Sequence, residues 1–160
     1  MNHPMTTLIR IRYGECDAQQ VVFNARYADY VDAAMTEYMR HVHGGPNKLL
    51  ERGLDNQVVK MTTQWRSSAV FDDTIAITTE TVHIGNTSFT LMYKIFDYPT
   101  GILRATCEMV YVMVDSTDYK KHLIPEDIRQ QLERGAPGVV INFAAIDFSA
   151  ETLFNNIEEH

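Results

Sequence analysis

The sequence predicts an α+β domain: a long central helix wrapped by a five-stranded antiparallel sheet, with an extra C-terminal segment. Three observations lead there. Tyr27, Tyr30, Val31, Ala34, Met35, Tyr38 and Met39 recur at spacings of three and four, the stripe of an amphipathic helix. Four long alternating stretches follow between residues 57 and 115, joined by short connections. One more alternating stretch, "TLIRIRY", precedes the helix and needs a sheet to join. A meander has a face to cover and a striped helix has a stripe to bury, so each covers the other.

The opening strand puts Ile9, Ile11 and Tyr13 on one face, opposite Leu8, Arg10 and Arg12. The helix starts near Arg26 and stops at Gly44-Gly45-Pro46, where glycine tolerates left-handed backbone and proline cannot continue the ladder. Lys48 to Arg52 reads as one further helical turn. In the meander, Ile75, Ile77, Thr79, Thr81 and His83 share a face, and Phe89, Leu91, Tyr93 and Ile95 share the next. Gly85-Asn86 and "YPTG" mark turns. Pro125 suits the first position of a short helix that Gly135 closes. The tail "SAETLFNNIEE", with Ser149 as a cap, reads as an added helix or as an arm reaching a neighbouring subunit. These boundaries give one domain over residues 1–135 and an extension over 136–160, packed on the domain or on a neighbouring subunit.

The chain has 160 residues and a net charge of −7, which argues against nucleic-acid binding, since phosphate affinity comes from Lys and Arg. Two cysteines, Cys16 and Cys107, lie far apart and read as free thiols of a reducing compartment. Neither a secretory signal nor a run of about eighteen apolar residues occurs, so a cytoplasmic protein without a membrane span is expected. No G-x-S-x-G elbow or H-E-x-x-H metal motif is present. His41 and His43 read as partners of the helix C-terminus or as solvent-exposed side chains.

The remaining puzzle is "YGECDAQQVVFNARY", a polar gap carrying Asp17 between strand and helix. With the helix "YVDAA" behind it, this segment resembles the hotdog-fold acyl-CoA thioesterases, the 4-hydroxybenzoyl-CoA thioesterase-like family. "HIGNTSFTLMYKI" and Asp115 followed by "YKKHLIPEDIRQQL" are weaker matches. The resemblance covers residues 6–134 and leaves the tail outside.

The resemblance implies that Asp17 is the catalytic carboxylate and that backbone N–H groups at Phe23 and Asn24 polarise the thioester carbonyl. It implies that Tyr27 lines the acyl end and that Gly85, Asn86, Thr87 and Ser88 lie along the pantetheine arm of the coenzyme. The expected reaction is hydrolysis of an acyl-CoA thioester to a carboxylic acid and coenzyme A, with Asp17 as base or nucleophile. No cofactor or metal is implied, the coenzyme being part of the substrate, and the protein is expected to be a homodimer or homotetramer. Thioester hydrolysis on an acyl-carrier protein and a non-catalytic acyl-CoA-binding module are the alternatives. Many relatives have glycine where this chain has Gln20; a backbone of positive φ there strains glutamine.

Each residue also has a plainer reading. Asp17 suits a strand-ending turn, Asn24 suits a helix N-cap, and the tyrosine stripe suits core. Cys16 suits a buried thiol. Arg66, Lys94, Arg104, Lys120 and Lys121 could meet the coenzyme's phosphates, and none is singled out by sequence.

Overall fold

The computed structural model describes residues 3–158. Strand β1 (Met5–Arg10) passes through a 3-10 turn (Tyr13–Glu15) to helix α1 (Arg26–His43). A second 3-10 turn (Leu50–Arg52) leads to β2 (Leu54–Trp65), β3 (Thr74–Ile84), β4 (Ser88–Tyr98) and β5 (Leu103–Asp115). Helix α2 (Glu126–Arg134), strand β6 (Val140–Asn142) and helix α3 (Ala150–Glu158) complete the chain. The strands form one sheet in the order β2-β5-β4-β3-β1-β6.

The α+β class holds, but the five-stranded antiparallel sheet wrapped around a long helix is corrected. The first five strands pair antiparallel, and β6 joins parallel to β1, so the sheet is six-stranded and mixed. With three residues, β6 is too short to display a period of two. Helix α1 has 18 residues, about 27 Å of rise. It is short beside the 13 residues of β5, about 43 Å. It lies on one face of the sheet rather than enclosed by it, leaving Arg26, Asp29, Asp32, Thr36 and Arg40 exposed.

The main core lies between α1 and that face. Ile77, Ile95 and Ala105 stand in register across β3, β4 and β5, and Tyr93 stands opposite Cys107. All are buried against Tyr27, Tyr30, Val31, Ala34, Tyr38, Met39 and Val42 of the helix. Burial of such aliphatic side chains stabilises by about 1.5–3 kcal/mol each. Three buried tyrosine hydroxyls find partners: Tyr93 with Tyr111 at 2.7 Å, and Tyr38 with Thr81 Oγ1 at 2.9 Å.

The opposite face of β1 and β3 carries a second cluster, where Leu8 and Ala76 meet Ala144, Leu153 and Phe154 of the tail. This corrects the reading of the first strand. Leu8 is buried because α3 covers it, and β1 ends at Arg10, so Tyr13 has left the sheet and is exposed. Ser149 does cap α3, its Oγ accepting the Thr152 N–H at 3.0 Å. Pro125 is the residue before α2 rather than its first, and the turn expected from Lys48 begins at Leu50.

Gly101 has φ +74°, and a Cβ there would collide with the Asn156 carbonyl of α3. Left-handed backbone costs an ordinary residue about 1–2 kcal/mol, and the overlap adds about 1–3 kcal/mol. Gly101→Ala is expected to loosen α3, seen as a lowered melting temperature and faster proteolysis of the tail.

His43, at the C-terminal end of α1, donates from Nδ1 to Gln131 Oε1 of α2 at 2.7 Å, while His41 is exposed with Nδ1 on the Glu37 carbonyl. Burial pulls the His43 pKa below its ordinary value, outweighing the Gln131 bond that acts in the other direction. The unfolded chain therefore binds this proton more readily than the folded one. Stability is full above about pH 6.5 and falls as pH drops from there through the folded value. Urea midpoints between pH 7.5 and pH 5 are expected to show this slope, and His43→Asn to flatten it.

Candidate active site

The stretch from Cys16 to Val22 is a miniature hairpin. Cys16 and Val22 form an antiparallel bridge, the Asp17 N–H donates to the Val21 carbonyl at 2.9 Å, and the Gln20 N–H donates to the Asp17 carbonyl at 2.9 Å. The turn places Gln20 at φ 63°, the left-handed region that glycine would favour. The Asp17 carboxylate, half-buried, accepts the Gln19 N–H on Oδ1 at 2.8 Å.

The hairpin is tied on both sides. The Phe23 N–H donates to the Glu15 carbonyl and the Val22 N–H to the Ala69 carbonyl, each at 2.9 Å. Glu15 is itself buried, and its carboxylate accepts the Arg12 N–H at 2.7 Å. Burial and the nearby negative charge of Glu15 raise the Tyr30 pKa, which keeps that hydroxyl protonated. The Phe23 amide, expected to face the substrate, is thus already committed inside the chain. Asn24 is not the helix cap: Ala25 holds that position in helical geometry, without a side-chain cap bond. The Asn24 and Ala25 amides make no hydrogen bond among the described residues. They point to the mouth of α1 as a place with donors to spare.

A groove of about 300 Å³ joins Asp17 and Asn24 to Tyr27, Trp65, Arg66, Ser67 and Ser68. Tyr27 meets Trp65 edge to face at 6.3 Å. Its phenol pKa is raised by burial, with the Ala69 backbone and the Arg104 cation acting against the rise. Arg104 supports this wall from behind, donating to Ser67 Oγ at 3.2 Å and to Asp97 Oδ1 at 3.0 Å. A second groove, about 550 Å³, places Asp17, Cys16 and Gln20 beside Tyr13, Val70 and Phe71. Sequence reasoning missed Trp65, Ser67, Ser68, Val70 and Phe71. The available signal was aromatic and apolar residues flanking the "RSS" break after an exposed strand.

The structure brings Asp17, Asn24 and Tyr27 together but keeps Gly85, Asn86, Thr87 and Ser88 apart from them within one chain. Register sets Ser88 beside Val112 and Trp65 beside Ala105, seven residues apart on β5 and about 24 Å along the strand. The turn is held there by other contacts: Arg129 donates to the Gly85 carbonyl at 2.8 Å, and the Asn86 and Thr87 carbonyls accept the Ile124 and Met113 amides. Among the described residues, no three His, Cys, Asp or Glu side chains converge as for a metal ion. Nor is any helix long and apolar enough to cross a membrane.

Gln20 carries the strain that the missing glycine predicts. Gln20→Gly is expected to raise folding stability by about 1 kcal/mol, read as a higher denaturant midpoint at unchanged slope.

The family profile described as "Thioesterase-like superfamily" matches residues 11–132. The acyl-CoA thioester hydrolase YbgC of Escherichia coli O6:H1 is 30% identical over 120 residues, covering 75% of this chain and 89% of that protein. The long-chain acyl-CoA thioesterase FadM of Escherichia coli K12 is 25% identical over 130 residues, covering 81% and 98%. The crystal structure of YbaW, a probable thioesterase from Escherichia coli, superposes with a TM-score of 0.75 at 24% identity, over 82% of this chain and 98% of that one. With its sheet, helix and carboxylate loop in this arrangement, the chain belongs to the thioesterase-like superfamily of hotdog-fold proteins.

Proposed function

We propose that this chain hydrolyses acyl-CoA thioesters to a carboxylic acid and free coenzyme A, with Asp17 as the reacting carboxylate. The observation that carries the reading is Asp17 sharing one groove with Asn24 at the open end of α1. Family membership and relatives that act on acyl-CoA support it.

Two routes use these groups. In one, an Asp17 oxygen adds to the thioester carbon, the carbon–sulfur bond breaks, and the thiolate leaves behind a mixed anhydride that water then cleaves. In the other, Asp17 takes a proton from water, the resulting hydroxide adds, and collapse expels the thiolate, which is protonated to the thiol. Both build negative charge on the carbonyl oxygen. The Asn24 amide, uncommitted and at the positive end of α1, is the donor best suited to that charge. Tyr27 and Trp65 wall the same groove and exclude water from one side of it.

A second copy completes the site. Strand β2 is an open edge with Val58, Val59, Met61 and Trp65 exposed, a ready template for sheet extension. Antiparallel pairing along β2 sets the Leu54 end of one copy beside the Trp65 end of the other. Gln57 pairs with Val112, and Val112 pairs with Ser88. The turn at residues 85–88 of the second copy therefore arrives at the end where Asp17 waits. This restores Gly85, Asn86, Thr87 and Ser88 to the substrate's path, across the interface rather than within a chain.

Asp17→Asn keeps the shape and the acceptor for the Gln19 amide while removing the basic oxygen. Free-thiol release from short, long and aromatic acyl-CoA is expected to fall about 10³-fold or more in kcat, with the melting temperature unchanged. Undiminished turnover in that variant removes the assignment.

A further inference from the structure

Asp17 lines two grooves, one richer in polar groups and the other in apolar surface. On one side Asn24, Arg66, Ser67 and Ser68 give the groove polar and cationic groups, beside the rings of Tyr27 and Trp65. On the other side it is apolar: Tyr13, Val70 and Phe71 are 80%, 42% and 53% exposed, and no described part of the chain covers them. Tyr13 and Phe71 form one wall, their rings edge to face at 5.7 Å and 84°. A loop residue and a residue from the β2–β3 connection thus pack on each other to hold an open apolar surface beside a carboxylate.

An acyl thioester has the same division. Its carbonyl joins an apolar acyl group to a carrier arm of amides ending in phosphates. A single carboxylate reaching that carbonyl must send the two halves in different directions. Resting on the thioesterase reading above, we propose that the acyl group occupies the groove between Tyr13, Val70 and Phe71. The carrier arm then leaves past Ser67 and Ser68 towards Arg66. The occupant of the apolar groove is the hydrocarbon or aromatic body of the acyl group, which makes Tyr13 and Phe71 the residues that set acyl preference. Gln20 stands at the rim of this groove, its left-handed backbone giving a side chain to a position that glycine would leave bare. In this placement Tyr27, which the resemblance puts at the acyl end, stands on the arm's side of the carbonyl instead.

The chemistry fixes the test. Each methylene removed from water favours binding about fourfold. Free-thiol release is measured with straight-chain acyl-CoA substrates from acetyl to dodecanoyl, and with the matching N-acetylcysteamine thioesters, which lack the phosphates. In the wild-type protein kcat/KM is expected to rise about fourfold per methylene until the groove is filled. The double variant Tyr13→Ser, Phe71→Ser is expected to flatten that rise to below about twofold. Arg66→Gln is expected to lower kcat/KM about tenfold more for the CoA thioesters than for their N-acetylcysteamine counterparts. Asp17-dependent hydrolysis in which the chain-length slope survives the double variant overturns the groove assignment alone. An Arg66 variant that lowers both substrate series alike overturns the path of the arm. A wild-type protein inert on every thioester removes the enzyme reading and this inference with it; Asp17→Asn as active as wild type removes Asp17 as the reacting carboxylate and the placement of substrate around it.

Discussion

Everything placed around Asp17 depends on two backbone hydrogen bonds, from Phe23 N–H to Glu15 and from Val22 N–H to Ala69. They fasten the miniature hairpin to the 3-10 turn that follows β1 on one side and to the connection after β2 on the other. Leaving such a group unpaired in a buried site costs about 1–3 kcal/mol, comparable with the strain that the hairpin stores at Gln20. A carboxylate on an untethered loop would sample many positions; here the chain on both sides of it is pinned. The same ties explain which donors remain for a ligand. Phe23 spends its amide on the tether, and the next residue along, Asn24, is the first with one to offer.

The tether reaches further than the loop. Ala69 accepts from Val22, Asp73 accepts the Val70 amide on its carboxylate at 3.0 Å, and Arg104 holds Ser67. Both groove walls are therefore anchored to a charged group lying largely within the protein. Arg104 is balanced there by Asp97 at 3.0 Å, so its charge is paired rather than stranded. Rigid walls on either side of a pinned carboxylate are what positioning a reactive group to within a fraction of an ångström requires.

Strong periodicity made much of this legible. The stripe on α1 names its buried face almost residue for residue, because eighteen residues sample the 3.6 period five times. The alternation in β4 names its inner face in the same way, and that in β3 does so through Ile75 and Ile77 until a bulge between Thr81 and His83 shifts the register and leaves His83 exposed. What local pattern could not carry was long-range: β6 is three residues long, and Leu8 is buried only because a helix some 140 residues later lies over it. Site residues divided similarly. Asp17, Asn24 and Tyr27 lie close in sequence and stay close in space. Gly85, Asn86, Thr87 and Ser88 were assigned to the same ligand by likeness, yet strand direction carries them to the far end of the sheet. Trp65 and Phe71 went unnoticed because exposure, the property that distinguishes them, is invisible until the sheet has an edge. Gln20 was the exception, where a glycine's absence foretold a backbone angle.

The tail has a consequence for how large an assembly can become. Open-ended growth by strand addition needs two compatible borders on each molecule, one to give and one to receive. Here one border is twelve residues of β2, while the other is three residues of β6 lying next to a packed helix. Joining like border to like would use up the long one in both molecules and leave only stubs outward. Three residues of edge beside a packed helix make a poor template for fibre growth.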